Sequence, residues 1–266
     1  RAWSDEDPAH PGGEGAAHAG VRSVLGLSPT DWLAVLAAAV LTGLAKTAVP
    51  GLASIAVALC ALVLPAKEST GVMLVLLLVG DVLAVWAYRR DADRALLARL
   101  VPSVVLGVLA GAAFLRWSTQ NQTRRGIGVV LLALVALTVF QRQRGRRGRA
   151  PVPVRTAYGA LAGFTTMVAN AGGPVTSMYF LACRFSVAAF LGTTAWFFFA
   201  VNLVKLPFTV SMGLIRPEHL ALDLVLAPVV VLAALAGRCL AARLPLRVFE
   251  PLVIATTVIA AVPLVL

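Results

Sequence analysis

Residues 170–174 read Asn170-Ala171-Gly172-Gly173-Pro174, a polar, glycine-rich interruption between two long apolar runs. Glycines free the backbone, and Pro174 can open a new helix at its first position. A helix that starts inside an apolar slab presents unsatisfied N–H groups and a positive dipole end, which suits an anion. Broken helices at matching places in two repeats also point to a secondary-transporter site. A second break lies earlier in the chain, at Lys46-Thr47-Ala48-Val49-Pro50-Gly51.

The sequence around both breaks is of membrane grade. The chain has 266 residues, of which 59% are hydrophobic and 13% charged, against about 25% charged in a soluble domain. Continuous apolar runs recur from residue 32 to the end. A transmembrane barrel would show alternating segments of ~10 residues instead. The expected fold is an all-α polytopic membrane protein. The net charge of +11 falls mainly in short loops between apolar runs, where it signals topology and not a nucleic-acid partner. Cys60, Cys183 and Cys239 lie far apart in apolar segments without a CxxC spacing, and they read as buried free thiols. His10, His18 and His219 make no metal-ligand pattern.

Residues 1–28 are polar and include Asp5, Glu6, Asp7 and Glu14, which predicts a disordered tail. It has no apolar core typical of a signal peptide. A first membrane repeat is expected over 29–140, a basic loop over 141–152 and a second membrane repeat over 153–266. Asp31-Trp32 opens the first helix, and a short helix follows over 51–64. Further helices are predicted over 69–88, 95–115, 124–140 and 153–170, then a short one over 174–183. The last three are placed over 187–213, over 218–242 and from 246 onward. The loop Gln141-Arg142-Gln143-Arg144-Gly145-Arg146-Arg147-Gly148-Arg149 is the strongest positive-inside signal, and it goes to the cytoplasm.

The two halves match in order. Gly43 parallels Gly163, Pro50-Gly51 parallels Gly173-Pro174, and the short helices end at Lys67 and Arg184. Asp81 parallels Asn202, Pro102 parallels Pro228, and Gly111 parallels Gly237. Six correspondences at a spacing of roughly 120 residues argue for duplication. A helix of ten to fourteen residues is roughly 15–21 Å long, shorter than the ~30 Å hydrocarbon core. If the short helices cross, each repeat has five passes and the second is inverted. If they are re-entrant, each has four and the repeats are parallel. The inverted arrangement is preferred. It places the acidic tail outside and Arg89, Arg90, Arg94, Arg243 and Arg247 in the cytoplasm, but leaves Arg116, Arg124 and Arg125 outside, against the rule.

The pattern Gly163…Asn170-Ala171-Gly172-Gly173-Pro174…Tyr179…Gly192-Thr193…Phe199…Asn202…Lys205…Gly213 resembles the second half of the sulfite exporter TauE/SafE family, also called the 4-toluene sulfonate uptake permease family. Gly43…Lys46…Pro50-Gly51 and the short helix after it are similar to the first half, so the resemblance covers about 30–266. One departure is that many members are glycine-rich at the first break, whereas this chain carries Lys46-Thr47-Ala48-Val49-Pro50-Gly51. The resemblance implies a bacterial inner-membrane transporter of sulfite, sulfonates or related organic anions, multi-pass and surrounded by lipid.

Lys46 lies deep in an apolar run, where a charge costs at least ~2.5–3.5 kcal/mol and should face the interior or a wet cavity. It reads either as a counter-charge for an anion or as a lysine snorkelling to an interface. Lys205 has the same two readings. Asp81 is a candidate proton relay and coupling group, or a structural partner for Lys46. Asn202 suits helix packing or a substrate hydrogen bond. Thr47, Ser177, Thr193 and Thr194 offer hydroxyls that bond either a substrate or their own helix. The proposed anion site therefore comprises Lys46, Thr47, Pro50, Gly51, Asn170, Gly172, Gly173, Pro174, Thr193, Asn202 and Lys205. The anion is expected between the two helix breaks, with bare backbone and the neutral Asn170 on the second side. There is no GxxxxGK[ST], HExxH or GxSxG pattern, so neither an ATP site, an enzyme nor a cofactor is expected. The alternative is a membrane assembly or sensor protein that uses the same fold without transport.

Overall fold

The computed structural model describes residues 27–118, 152–170 and 172–261. The expected tail as far as residue 26, the helix over 124–140, the basic 141–149 loop and Ala171 lie outside the described residues. Nine helices are described: α1 (Pro29–Thr47), α2 (Leu52–Val63), α3 (Ala66–Tyr88), α4 (Arg94–Trp117), α5 (Val152–Ala169), α6 (Gly172–Ala182), α7 (Val187–Ser211), α8 (Pro217–Ala241) and α9 (Leu246–Ala261). Most of the described residues are helical and none is in a strand. Among the described residues, five helices are long and apolar enough to span a membrane: α1, α3 from Glu68, α4, α7, and α8 from His219.

Burial is arranged for a lipid solvent. Leu33, Leu62, Trp86, Leu106, Leu224 and Leu232 face outward, while Lys46, Asp81, Asn170, Asn202, Lys205 and Asp223 are buried. Lipid tails are as apolar as leucine, so packing and interior polar bonds, not apolar burial, hold such helices together. This is an all-α polytopic membrane protein.

Local signals explain the helix ends. Ser28 caps α1 by accepting from the Asp31 N–H, and Asp31 returns the bond to the Ser28 N–H; this reciprocal cap starts the helix at Pro29, ahead of Asp31-Trp32. Asp93 and Ser186 cap α4 and α7 by one-way bonds, accepting from the Leu96 and Ala189 N–H groups. The second break differs in detail from expectation. Asn170, not a glycine, takes the left-handed conformation, at φ 53°; asparagine tolerates that region better than most L-residues. Gly172 and Gly173 already belong to α6, and Pro174 is its third residue. A proline fits there because the first-turn N–H groups have no helical partner to lose.

Two apolar cores form, and neither follows the order of the chain. One joins α1, α2 and α3 to α8, through Val35, Cys60, Met73 and Leu226 among others. The other joins α4 to α5, α6, α7 and α9, through Val104, Met167, Phe180, Phe197 and Phe249 among others. The fourth helix of each half thus packs with the other half. The close approaches are reciprocal: a Cβ on Gly43 of α1 would overlap the Val230 carbonyl of α8, and one on Gly163 of α5 would overlap the Val104 carbonyl of α4. α3 and α7 pack against each other between the cores.

The cysteines are a partial correction. None forms a disulfide, but only Cys60 is buried; Cys183 is half-buried and Cys239 is exposed. An outward thiol on α8 meets an apolar surrounding in a membrane just as an inward one does.

Candidate functional site

The two breaks meet at the centre. A Cβ on Gly173 would stand 3.3 Å from the Pro50 carbonyl oxygen, so the start of α6 faces the loop that leads into α2. A small cavity opens beside this contact, and Lys46, Asp81, Asn170, Thr194, Phe198 and Asn202 are among its lining residues. Pro50, Gly173 and Thr166 complete its polar and backbone edge.

Lys46 is in the last turn of α1, where the helix dipole favours a cation. It is buried and does not reach an interface. Its Nζ lies 2.6 Å from Asp81 Oδ1, with the two side chains 7% and 0% exposed. The ammonium also stands over the Phe198 ring, 4.9 Å from its centroid, an attraction of cation–π type. Asn202 donates from Nδ2 to the other Asp81 oxygen at 2.7 Å. Lys46, Asp81 and Asn202 thus form a continuous chain from α1 through α3 to α7. A buried ion pair in an apolar medium needs this extra bonding, because desolvation offsets much of its Coulomb attraction.

Lys205 lies one turn further along α7 and is fully buried. Its Nζ donates to the Thr166 carbonyl and to Asn170 Oδ1, both at 2.5 Å. The Thr166 carbonyl, in the last turn of α5, also accepts from the Asn170 N–H at 3.0 Å, so its two lone pairs serve the helix end and the ammonium together. Asn170 donates onward from Nδ2 to the Thr70 carbonyl of α3 at 3.0 Å. The second break is therefore not bare: an ammonium reaches it from α7. Each break has a lysine at the C-terminal end of its first helix, one from within that helix and one from across the bundle. Counted formally, two lysines and one aspartate leave the cluster with one excess positive charge. Two polar atoms beside the cavity, Thr194 Oγ1 and Asn202 Oδ1, are buried without a hydrogen-bond partner.

Other predicted residues lie elsewhere. Thr193 Oγ1 accepts from the Asp93 N–H at 3.0 Å and pins the α3–α4 turn. Thr47 Oγ1 donates to the Ala234 carbonyl of α8 at 2.7 Å. Gly51 is packed against Thr256 of α9, and Gly172 against Thr166. The N–H groups of Leu52 and Ala53 at the start of α2 donate to the Val49 and Pro50 carbonyls at 3.0 and 3.2 Å, so that helix start is less open than its break suggests. Phe198 and the Thr166 carbonyl were missed from sequence. An aromatic in a phenylalanine run and a backbone oxygen carry no signal of their own.

No curated protein and no solved structure matches the chain. The family model described as sulfite exporter TauE/SafE matches residues 35–264, which takes in both breaks, the buried charges and every described helix apart from the first turns of α1. The family is one of membrane transporters of sulfur anions. A multi-pass helical bundle with a charged centre and this coverage belongs to the sulfite exporter TauE/SafE family.

Proposed function

We propose that the chain is a secondary transporter that moves a small anion, sulfite or a related organic sulfur anion, across the bacterial inner membrane, with export as the favoured direction. The observation that carries the reading is the cavity between the two breaks, bordered by Lys46 and by Asn170, which holds Lys205. Its excess positive charge suits an anion, and its unpartnered Thr194 and Asn202 oxygens leave bonding capacity beside the Lys46 ammonium. Burial inside a membrane makes such charges costly, so their presence points to transport chemistry and not to packing alone.

Asp81 gives this site a means of coupling. In the structure it occupies Lys46. A proton on Asp81 would neutralise the carboxylate and release Lys46 to an incoming oxyanion; loss of the proton would restore the pair and expel the anion. Lys205 would hold the opposite side through Asn170, so that displacement of Asn170 frees a second ammonium. The reciprocal contacts Gly43–Val230 and Gly163–Val104 support matched packing of the two halves; with the halves related by inversion, rocking of one against the other would alternate access around a fixed centre. With the basic 141–149 loop in the cytoplasm, the turn around Arg216 lies on the outer face in this arrangement.

The test is uptake of labelled sulfite and of a short-chain sulfonate into proteoliposomes. The reading expects saturable flux with wild-type protein and none with Lys46→Ala or Lys205→Ala, both variants inserting normally. Wild-type flux of the whole anion panel through both variants would overturn the two-lysine site.

A further inference from the structure

Asp223 on α8 is a buried carboxylate that the anion site does not use. It is 3% exposed, and neither oxygen has a hydrogen-bond partner. The same-side groups of every element packed around it are few. α1 offers the apolar Val35, Ala38 and Ala39, and α3 offers Val72 and Met73 with Glu68 at its start. From α2 comes Cys60, whose electrostatic environment includes Asp223. On α8 itself the titratable neighbour is His219, one turn earlier and hence on the same helix face. His219 Nε2 lies 3.5 Å from Glu68 Oε2, and Arg216 Nη1 lies 3.3 Å from Glu68 Oε1. The other imidazole nitrogen, Nδ1, is buried without a partner.

These groups form a line from surface to interior. Glu68 is 25% exposed and Arg216 52% exposed, while the His219 side chain is 13% exposed. Beyond Asp223, two helical turns or roughly 10 Å deeper along α8, Val230 reaches Gly80 beside Lys46. An ionised carboxylate without donors in an apolar setting is strongly disfavoured, whereas the neutral acid is not. A proton is therefore the smallest ligand that satisfies this site, and none of its neighbours supplies the several oxygens that a metal cation would need.

We propose that Asp223 is a proton-binding site, loaded from the Glu68 face through the His219 imidazole and separate from the Lys46–Asp81 cluster. The transfer balances without any co-reactant. His219 Nδ1 and Asp223 are not hydrogen-bonded to each other in the structure, so the relay includes a side-chain rotation. Nε2 accepts a proton from the Glu68 side, the ring turns and Nδ1 gives its proton to an Asp223 oxygen, and rotation of the ring brings the bare nitrogen back towards Glu68 for the next proton. The role rests on the transport reading, because a proton held there matters only if it moves with the anion.

Two measurements test it on the full chain. Wild-type protein, Asp223→Asn and His219→Gln are compared in proteoliposomes with labelled sulfite, first in isotope exchange at equal pH and then under a pH gradient. Sulfite ionises identically in every sample, so its own titration cancels. Both variants are expected to keep exchange while the initial rate of gradient-driven accumulation falls by about tenfold, equivalent to 1.36 kcal/mol in barrier. Gradient-driven accumulation at wild-type level in Asp223→Asn overturns the proposal, and so does parallel loss of exchange in a folded variant. The second measurement needs no variant and no flux. A hydrophobic carbodiimide, which attacks protonated carboxyls, should label Asp223 of the wild-type chain less and less as pH rises. Absence of that adduct at acid pH overturns the proton site even if transport is intact. Labelling without any sulfite flux would retain the proton site and sink the transport reading instead.

Discussion

Asn202 donates to Asp81 across 2.7 Å, joining two residues 121 positions apart. They correspond in the proposed alignment of the two halves of the chain, and they lie on the helices α3 and α7, which pack against each other. This bond leaves Asp81 with Lys46 on one oxygen and Asn202 on the other, and so fixes which way the carboxylate faces. An amide at position 202 can hold Asp81 in either protonation state, because its donor serves the anion and its acceptor serves the acid.

The Lys46–Asp81 pair makes a stability prediction independent of transport. Lys46→Ala leaves a buried carboxylate without its counter-ion and should cost about 3–5 kcal/mol. Lys46→Ala with Asp81→Ala removes both charges and should cost less than either single change. The readout is thermal unfolding in detergent of the two single variants and the double. A double variant less stable than both singles would mean that the pair contributes through packing and not through mutual neutralisation.

Much of this centre was legible in sequence, for a physical reason. Charges and glycine-proline breaks inside apolar runs are costly, so they mark themselves; that is how Lys46, Asp81, Asn170, Asn202 and Lys205 stand out. Direction around a helix is a different matter. α7 is apolar on nearly every side, and no periodicity tells which of two adjacent threonines faces the cavity. The reach of Lys205 from α7 to the end of α5 is likewise a tertiary fact. Asp223 could have been found, since it is an acid inside an apolar run on α8, but it has no counterpart in the earlier half to draw notice: Leu97 stands at the matching place.

Asn170 gives a second prediction. Its φ of 53° costs an L-residue with a Cβ roughly 1–2 kcal/mol, while its side chain bonds Lys205 and Thr70. Asn170→Ala loses the bonds and bears the strain. Asn170→Gly loses the bonds only, so it should unfold at a higher temperature than Asn170→Ala, by the equivalent of about 1 kcal/mol. Both should be equally impaired in sulfite flux. Equal stability of the two variants would show that the backbone relaxes away from this conformation once the side chain is gone.

The reciprocal glycines predict a matched pair of defects. A methyl at Gly43 would overlap the Val230 carbonyl, and one at Gly163 would overlap the Val104 carbonyl. Backbone cannot yield as a side-chain tip does, so Gly43→Ala and Gly163→Ala should each force two helices apart and destabilise by about 1–3 kcal/mol. Gly213 is the control: its added Cβ meets nothing within 4 Å, and only its φ of +66° opposes the change. Cysteine cross-linking of α1 to α8, and of α4 to α5, should weaken in the first two variants and stay unchanged in Gly213→Ala. Undiminished cross-linking in all three would show that the contacts are looser than the geometry implies.

Adjacent threonines on α7 separate structure from transport. Successive residues on a helix point about 100° apart, and here that turn divides their roles. Thr193 Oγ1 accepts from the Asp93 N–H in the α3–α4 turn, whereas Thr194 lines the central cavity with an unpartnered hydroxyl. Valine keeps the shape of threonine and removes the oxygen's bonding. Thr193→Val should therefore lower stability by about 1 kcal/mol, the net worth of one hydrogen bond plus part of the desolvation of the stranded N–H. Its sulfite KM should not move. Thr194→Val should leave stability within a few tenths of a kcal/mol, because no protein bond is broken, and should raise KM for sulfite several-fold. Unfolding midpoints and initial uptake rates on the same preparations decide the matter. A KM shift in Thr193→Val together with none in Thr194→Val would place the anion at the α3–α4 turn, away from the junction of the two helix breaks.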